Sequence, residues 1–165
     1  MTAFQAGRFI WAARRERAAN RYLAFAREFR LPAAVRRAEL RISAYAHYQA
    51  AVNGRWLGRG PDPSNHNRYY VDTYDLRPHL RPGRNALRVL AYAFGPKLPW
   101  PESSYLANAF GWLRFEIVCR LPDGRETVIG SDAACRVRPA DAWAARAPGY
   151  TELRASLKEY YDARR

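Results

Sequence analysis

Hydrophobic and polar positions alternate along much of this chain. Leu40, Ile42, Ala44 and Ala46 alternate with Arg41, Ser43, Tyr45 and His47, and Leu113, Phe115, Ile117, Cys119 and Leu121 alternate with Arg114, Glu116, Val118 and Arg120. A period of two belongs to a strand with one buried face, so both runs predict half-buried strands. The run from Leu87 to Phe94 is apolar on nearly both sides, which predicts a strand in the middle of a sheet. Turn signals separate the runs. Asn53-Gly54 suits a two-residue type I′ hairpin, in which both central residues need positive φ. Asp123-Gly124 predicts the same device between Phe115–Leu121 and Glu126–Ile129. Pro82-Gly83 fits a type II turn ahead of a strand that starts near Asn85. Short strands punctuated in this way predict an all-β protein, a sandwich or a barrel. Helix is expected at the C-terminal end, over about 151–163, with Thr151 as N-cap, Leu153 and Leu157 on one face, and Lys158 and Arg164 toward the last turn. Residues 12–19 read as a short basic helix or a loop.

Composition narrows this picture. The 165 residues suffice for one domain, and 48% hydrophobic residues can fill its core. No apolar run approaches the ~20 residues that span a bilayer. Arg8, Arg14, Arg15 and Arg17 interrupt the N-terminus, so no leader is expected and the chain reads as cytoplasmic as written, with secretion left open for a truncated start. Two cysteines do not make a disulfide scaffold or a four-cysteine zinc site. The net charge is +13, and residues 1–41 hold ten Arg against Glu16, Glu28 and Glu39. Such an excess favours nucleic acid, an anionic membrane face or an acidic partner. The arginines nevertheless alternate with apolar residues, as they do on the solvent face of a sheet.

Candidate chemistry is sparse. His47, His66 and His79 are too scattered for a metal or a triad, and both His47 and His79 read as structural. No P-loop, His-Glu-x-x-His or Gly-x-Gly-x-x-Gly occurs. The Asp123-Gly124 hairpin places Cys119 opposite Val128 rather than Cys135, which predicts two reduced thiols. The acids form no recognisable oxygen cage for calcium, so no metal and no cofactor are expected. Asp72 and Asp75 lie on opposite faces of a strand, and Asp75 is expected to accept backbone N–H groups at its end. Gly58–Arg68 and Gly95–Gly111 are long irregular stretches, a form that is often functional.

Tyr74-Asp75-Leu76 followed by Leu80, Gly83, Asn85, Leu87 and Val89 resembles the core pattern of galactose-binding-like jelly rolls that accompany glycoside hydrolases. Phe25–Pro32, Val52–Pro61, Tyr70–Asp75 and Ser131-Asp132 in this order, with Trp11 ahead of them, resemble the N-terminal β-sandwich of bacterial α-L-rhamnosidases of glycoside hydrolase family 78. The likeness runs from about residue 8 to the end. The family places a Trp shortly after the Ser-Asp pair, whereas Ser131-Asp-Ala-Ala-Cys135 stands here. In the family a segment like Asp162-Ala-Arg164 leads on to a catalytic α-helical barrel. The sequence ends there, which reads as an isolated accessory domain or a truncated product.

The resemblance implies an antiparallel jelly-roll β-sandwich over about 8–140, with the helical tail behind it. Inverting hydrolysis needs two carboxyl groups roughly 6.5–9.5 Å apart, and the resemblance puts that pair on the barrel, so no hydrolase activity is expected of this chain. What remains is contact with carbohydrate, rhamnose-containing sugars included, or docking to a glycoside hydrolase catalytic module. For sugar, aromatic faces meet the C–H side of the ring while amides and Arg take the hydroxyls. Asn65, Asn67, Arg68, Tyr69, Trp100 and Tyr105 are expected at one such rim. Trp100 and Tyr105 read equally as core or interdomain packing. Trp11, Trp56, Trp112 and Trp143 read as packing residues, with Trp56 exposed after its hairpin. The Arg-rich region would face an acidic surface or an anionic polysaccharide. The alternative is a basic, barrel-like nucleic-acid-binding module, which the interleaved Arg, Tyr and Trp favour and the lack of a recognition motif opposes.

Overall fold

A computed structural model describes residues 4–12, 21–45, 47–62, 69–93, 111–143 and 161–164. Nine strands run through them: β1 (Arg21–Leu31), β2 (Arg37–Tyr45), β3 (His47–Val52), β4 (Arg55–Gly60), β5 (Asp72–Asp75), β6 (Gly83–Ala93), β7 (Trp112–Arg120), β8 (Glu126–Gly130) and β9 (Arg136–Pro139), with one 3-10 turn at Arg77–His79. They form a five-stranded sheet in the order β4-β3-β6-β1-β9 and a four-stranded sheet in the order β5-β2-β7-β8. Neighbouring strands are antiparallel throughout. Of the sandwich or barrel expected from the alternation, the sandwich that the resemblance implies is present. The central strand expected from Leu87–Phe94 is β6, third of five. The helix expected over 151–163 falls largely outside the described residues.

Between the sheets, Leu23, Phe25, Phe29, Leu87 and Val89 meet Leu40, Ile42, Leu113, Phe115 and Ile117, all buried. Each such side chain contributes roughly 1.5–3 kcal/mol on leaving water. The alternating run Leu40–His47 proves to be two strands. Between Tyr45 and His47 the chain passes from the four-stranded sheet to the five-stranded one. Even-numbered residues face inward on both sides of the crossing, with Ile42 and Ala44 before it and Tyr48 and Ala50 after it.

The Asn53-Gly54 hairpin is as expected: Val52 pairs with Arg55, and φ is 49° and 80° at the two central residues. The second hairpin differs by one residue. Cys119 pairs with Thr127, not Val128, because Pro122-Asp123-Gly124 forms a three-residue loop with Gly124 at φ 86°. Cys119 is buried in the core and Cys135 lies in the turn before β9; both are free thiols. Burial pushes the Cys119 thiol up to about 11.

The residues that carry the family pattern build turns. Asn85 is buried; its amide donates to the Arg81 and Gly83 carbonyls, and its oxygen accepts from the Arg81 N–H and the Asn53 side chain. Asn53 in turn accepts from the Ala86 N–H. Asp75 accepts the Arg77 N–H at 2.9 Å, the strand-end role expected of it. At the sandwich edge the Tyr48 hydroxyl from β3 hydrogen-bonds Asp72 and lies 3.0 Å from the Tyr74 hydroxyl, both on β5. Burial and the Asp72 carboxylate raise the Tyr48 pKa. A Cβ at Gly60 would lie 2.1 Å from the Asp72 carboxylate, so the close approach of β4 to this cluster requires glycine.

Candidate functional site

Tyr69 is the one expected rim residue among the described residues; Asn65, Asn67, Arg68, Trp100 and Tyr105 lie outside them. It belongs to an aromatic group at the Tyr45–Trp112 end of the four-stranded sheet. Trp112, the first residue of β7, sits opposite Tyr45 on β2. The rings of Tyr69 and Phe9 each stand edge-on to Trp112, at centroid distances of 4.8 and 5.1 Å and interplanar angles of 90° and 85°. Such T-shaped contacts match positive ring edges to negative faces. Phe9 remains 63% exposed, Tyr69 38% and Tyr70 58%. Burial and the neighbouring Tyr69 push the Tyr45 hydroxyl beneath them up to about 12.

The exposed ring of Phe9 is held by backbone bonds on either side. Phe9 lies between Arg8, whose N–H donates to Ser131 O at 2.8 Å, and Ile10, which exchanges two 2.9 Å bonds with Leu113. The Ser131 hydroxyl donates to Arg8 O and accepts from Phe115 N–H. Ser131 thus fastens the N-terminal segment to β7. Arg114 donates to Gly7 O at 2.7 Å and spreads its guanidinium over Phe4 and Phe9, 4.4 and 5.0 Å from their centroids. Beneath the same segment Glu116 accepts the N–H groups of Gln5 and Ala6. On the other side of the rim, Ser43 donates to Tyr70 O at 2.7 Å.

The result is a rigid, exposed aromatic edge with a guanidinium beside it. It offers apolar faces and hydrogen-bond donors, and the nearest carboxylate on its strand, Glu116, is buried and fully engaged. These are the features that the described residues bring together at the rim. Among the described residues no three His, Cys, Asp or Glu side chains group as metal ligands. Phe9, Trp112 and Arg114 are the residues that sequence reasoning did not place here. Of the other tryptophans, Trp11 packs on Phe25, Trp143 stacks on Tyr22 at 4.8 Å, and Trp56 is exposed.

Comparison with known proteins places this geometry. No curated protein matches the chain. Among solved structures, the GH78 family rhamnosidase of Bacillus sp. GL1 is similar with a TM-score of 0.73 and 33% identity, over 86% of this chain and 14% of its own. The α-L-rhamnosidase of Streptomyces avermitilis, solved with L-rhamnose, gives a TM-score of 0.59 and 27% identity over 73% of this chain and 12% of its own. The Pleurotus ostreatus lectin shares the fold, with a TM-score of 0.62 and 20% identity over 94% of this chain and 40% of its own. The chain thus spans about a seventh of the rhamnosidases' length. Residues 33–165 match the model of the α-L-rhamnosidase N-terminal domain, and the chain belongs to that family.

Proposed function

We propose that this domain is a non-catalytic accessory module that contacts carbohydrate through the aromatic rim of Phe9, Tyr69 and Trp112. The observation that carries the reading is the exposure of Phe9 and Tyr69 on a rigidly fastened edge. Rigid aromatic side chains give large contact area at small conformational cost, which suits a weakly bound sugar ring. Asn65, Asn67, Arg68, Trp100 and Tyr105 complete the rim in this reading, as hydroxyl-binding and stacking groups.

The test is an NMR titration of the labelled chain with L-rhamnose. Saturable shifts at Phe9, Tyr69 and the Trp112 indole, reduced in Tyr69→Ala and Phe9→Ala, are expected. Silence at about 50 mM, where a millimolar site would be filled, would overturn the reading for rhamnose. A neutral sugar should bind almost independently of salt, whereas a nucleic acid would lose affinity steeply.

A docking role has its own support on the outer face of the five-stranded sheet. Tyr22 stacks on Tyr92 at 4.4 Å and on Trp143 at 4.8 Å, and Tyr161 covers Trp143 at 5.0 Å while staying exposed. On the same face, about 20 Å further along β1 at ~3.3 Å per residue, Arg84, Arg88 and Arg136 crowd around Glu28. Such a surface suits the acidic side of a glycoside hydrolase catalytic module, and their association should weaken with salt.

A further inference from the structure

At the opposite end of the four-stranded sheet from the aromatic rim, about 25 Å along β2 at ~3.3 Å per residue, an open cleft of about 630 Å³ crosses the outer face. Arg36, Arg37, Arg77 and Arg120 line it together with Glu39 and Asp75. The geometry points to a site for an acidic saccharide, whose carboxylate the arginines take and whose hydroxyls the carboxylates and Thr73 take. This proposal rests on the carbohydrate-contact reading above.

Three observations carry it. Arg37 and Arg120 face each other directly across β2 and β7. Like charges at that position repel, so a bound anion would relieve a cost the fold has retained. Next, the acids in the cleft leave the arginines undersupplied. Glu39 is engaged by Arg41 at 2.7 Å and Arg37 at 3.3 Å, and Arg120 reaches Glu126 at 3.6 Å. Asp75 gives one oxygen to the Arg77 backbone. Among the described residues the guanidinium groups of Arg36 and Arg77 have no ion-pair partner. Four cations against two anions leave the lining at +2, and planar guanidinium forks fit a carboxylate in two-point contact.

Last, the lining is of mixed sign. A phosphate chain would meet repulsion from Asp75 and Glu39, whereas a hydroxyl-rich acid uses them: sugar hydroxyls donate to carboxylates while the ring's own carboxylate accepts from Arg. The volume lies within the 300–1,000 Å³ of small-ligand sites.

The test uses the full chain and a matched pair of probes, D-glucuronate and D-glucose, followed by backbone amide shifts at Arg36, Arg77 and Arg120. Saturable shifts with glucuronate and none with glucose are expected, with affinity about five-fold lower in Arg77→Gln, as for one lost charge-assisted bond. Equal shifts with glucose, or no shifts with either at about 50 mM, would overturn the proposal. Inorganic phosphate binding more tightly than glucuronate at the same amides would overturn the saccharide assignment. L-rhamnose shifts at Tyr69 and Trp112 with a silent cleft would sink this proposal and leave the rim standing. A responding cleft beside a silent rim would support the cleft and sink the rim.

Discussion

On the outer face of each sheet a carboxylate collects three partners, and burial divides the roles of Glu116 and Glu28. On the four-stranded sheet Glu116 is 0% exposed; one oxygen accepts two backbone N–H groups from the N-terminal segment and the other meets Arg41 at 3.2 Å. On the five-stranded sheet Glu28 is 40% exposed and is met by Arg84 at 3.3 Å, Arg88 at 3.9 Å and Arg136. By count of partners the two clusters look alike. Water and salt screen the second and hardly reach the first. The Glu116 cluster is therefore a staple of the fold, which ties down the segment that carries Phe9. The Glu28 cluster adds little to stability and leaves a dense positive surface free for other use.

The most direct way to break this contrast is to remove each carboxylate in turn. Glu116→Ala leaves Arg41 with Glu39 alone and frees the Gln5 and Ala6 N–H groups. A loss of about 3 kcal/mol is expected, read as a lower urea midpoint. The near-UV signal of Trp112 should change as well, since Phe9 loses its anchor. Glu28→Ala should hardly move the midpoint. Equal losses in the two variants would refute the division by burial.

Asn85 sharpens the same point with a neutral group. Its buried amide makes four hydrogen bonds around the Pro82-Gly83 turn. Asn85→Ala strands the Arg81 N–H and one N–H of the Asn53 amide, which keeps its 2.8 Å bond to His79 O, and should cost about 2–3 kcal/mol by chemical denaturation. A loss under about 0.5 kcal/mol would mean that water replaces these bonds freely.

Such turns were legible in the sequence because their geometry demands particular residues close together in the chain. Asn53-Gly54, Gly83 and Asn85 announce themselves, and so do the alternating runs that became β2 and β7 and the apolar run that became β6. β1 was not read as a strand from periodicity, because Arg27 occupies an inward position among Leu23, Phe25, Phe29 and Leu31. Its partner Asp132, 3.2 Å away, lies 105 positions downstream. The one-residue error at the second hairpin came from reading Asp123-Gly124 as the whole loop when Pro122 belongs to it. The rim was half legible for the same reason as β1. Tyr69 stood beside an irregular stretch, but Phe9 and Trp112 meet only through folding, so one drew no notice and the other read as a packing residue.

Arg27 yields a smaller effect that tests partly covered charge. Its side chain is 17% exposed, its Nε is buried without a partner, and Asp132 is 41% exposed. Asp132→Ala should cost about 1 kcal/mol by leaving Arg27 unpaired in the sandwich edge. Arg27→Met should cost less or stabilise, since an apolar chain of similar length fits the inward position. Thermal midpoints in the reverse order would mean that the ion pair itself, not the orphaned charge, is what matters.

The finest test returns to Glu28. A hydrogen bond from Arg84, then the charge of Arg136, holds its carboxyl below the ordinary value of 4.5. A pKa lowered in the folded state means that the unfolded chain binds the proton first. The stabilising contribution is then full above pH 4.5 and disappears as pH falls through the lower folded value. Wild type and Glu28→Gln should accordingly show thermal midpoints that differ slightly near neutrality and merge in acid. In about 0.5 M salt the neutral-pH difference should shrink toward zero, because the pair lies in solvent within reach of counterions. A difference that survives the salt would show that the arginines shield Glu28 from water. The two carboxylates would then be alike after all, and the basic face of the five-stranded sheet would be part of the fold's own stabilisation.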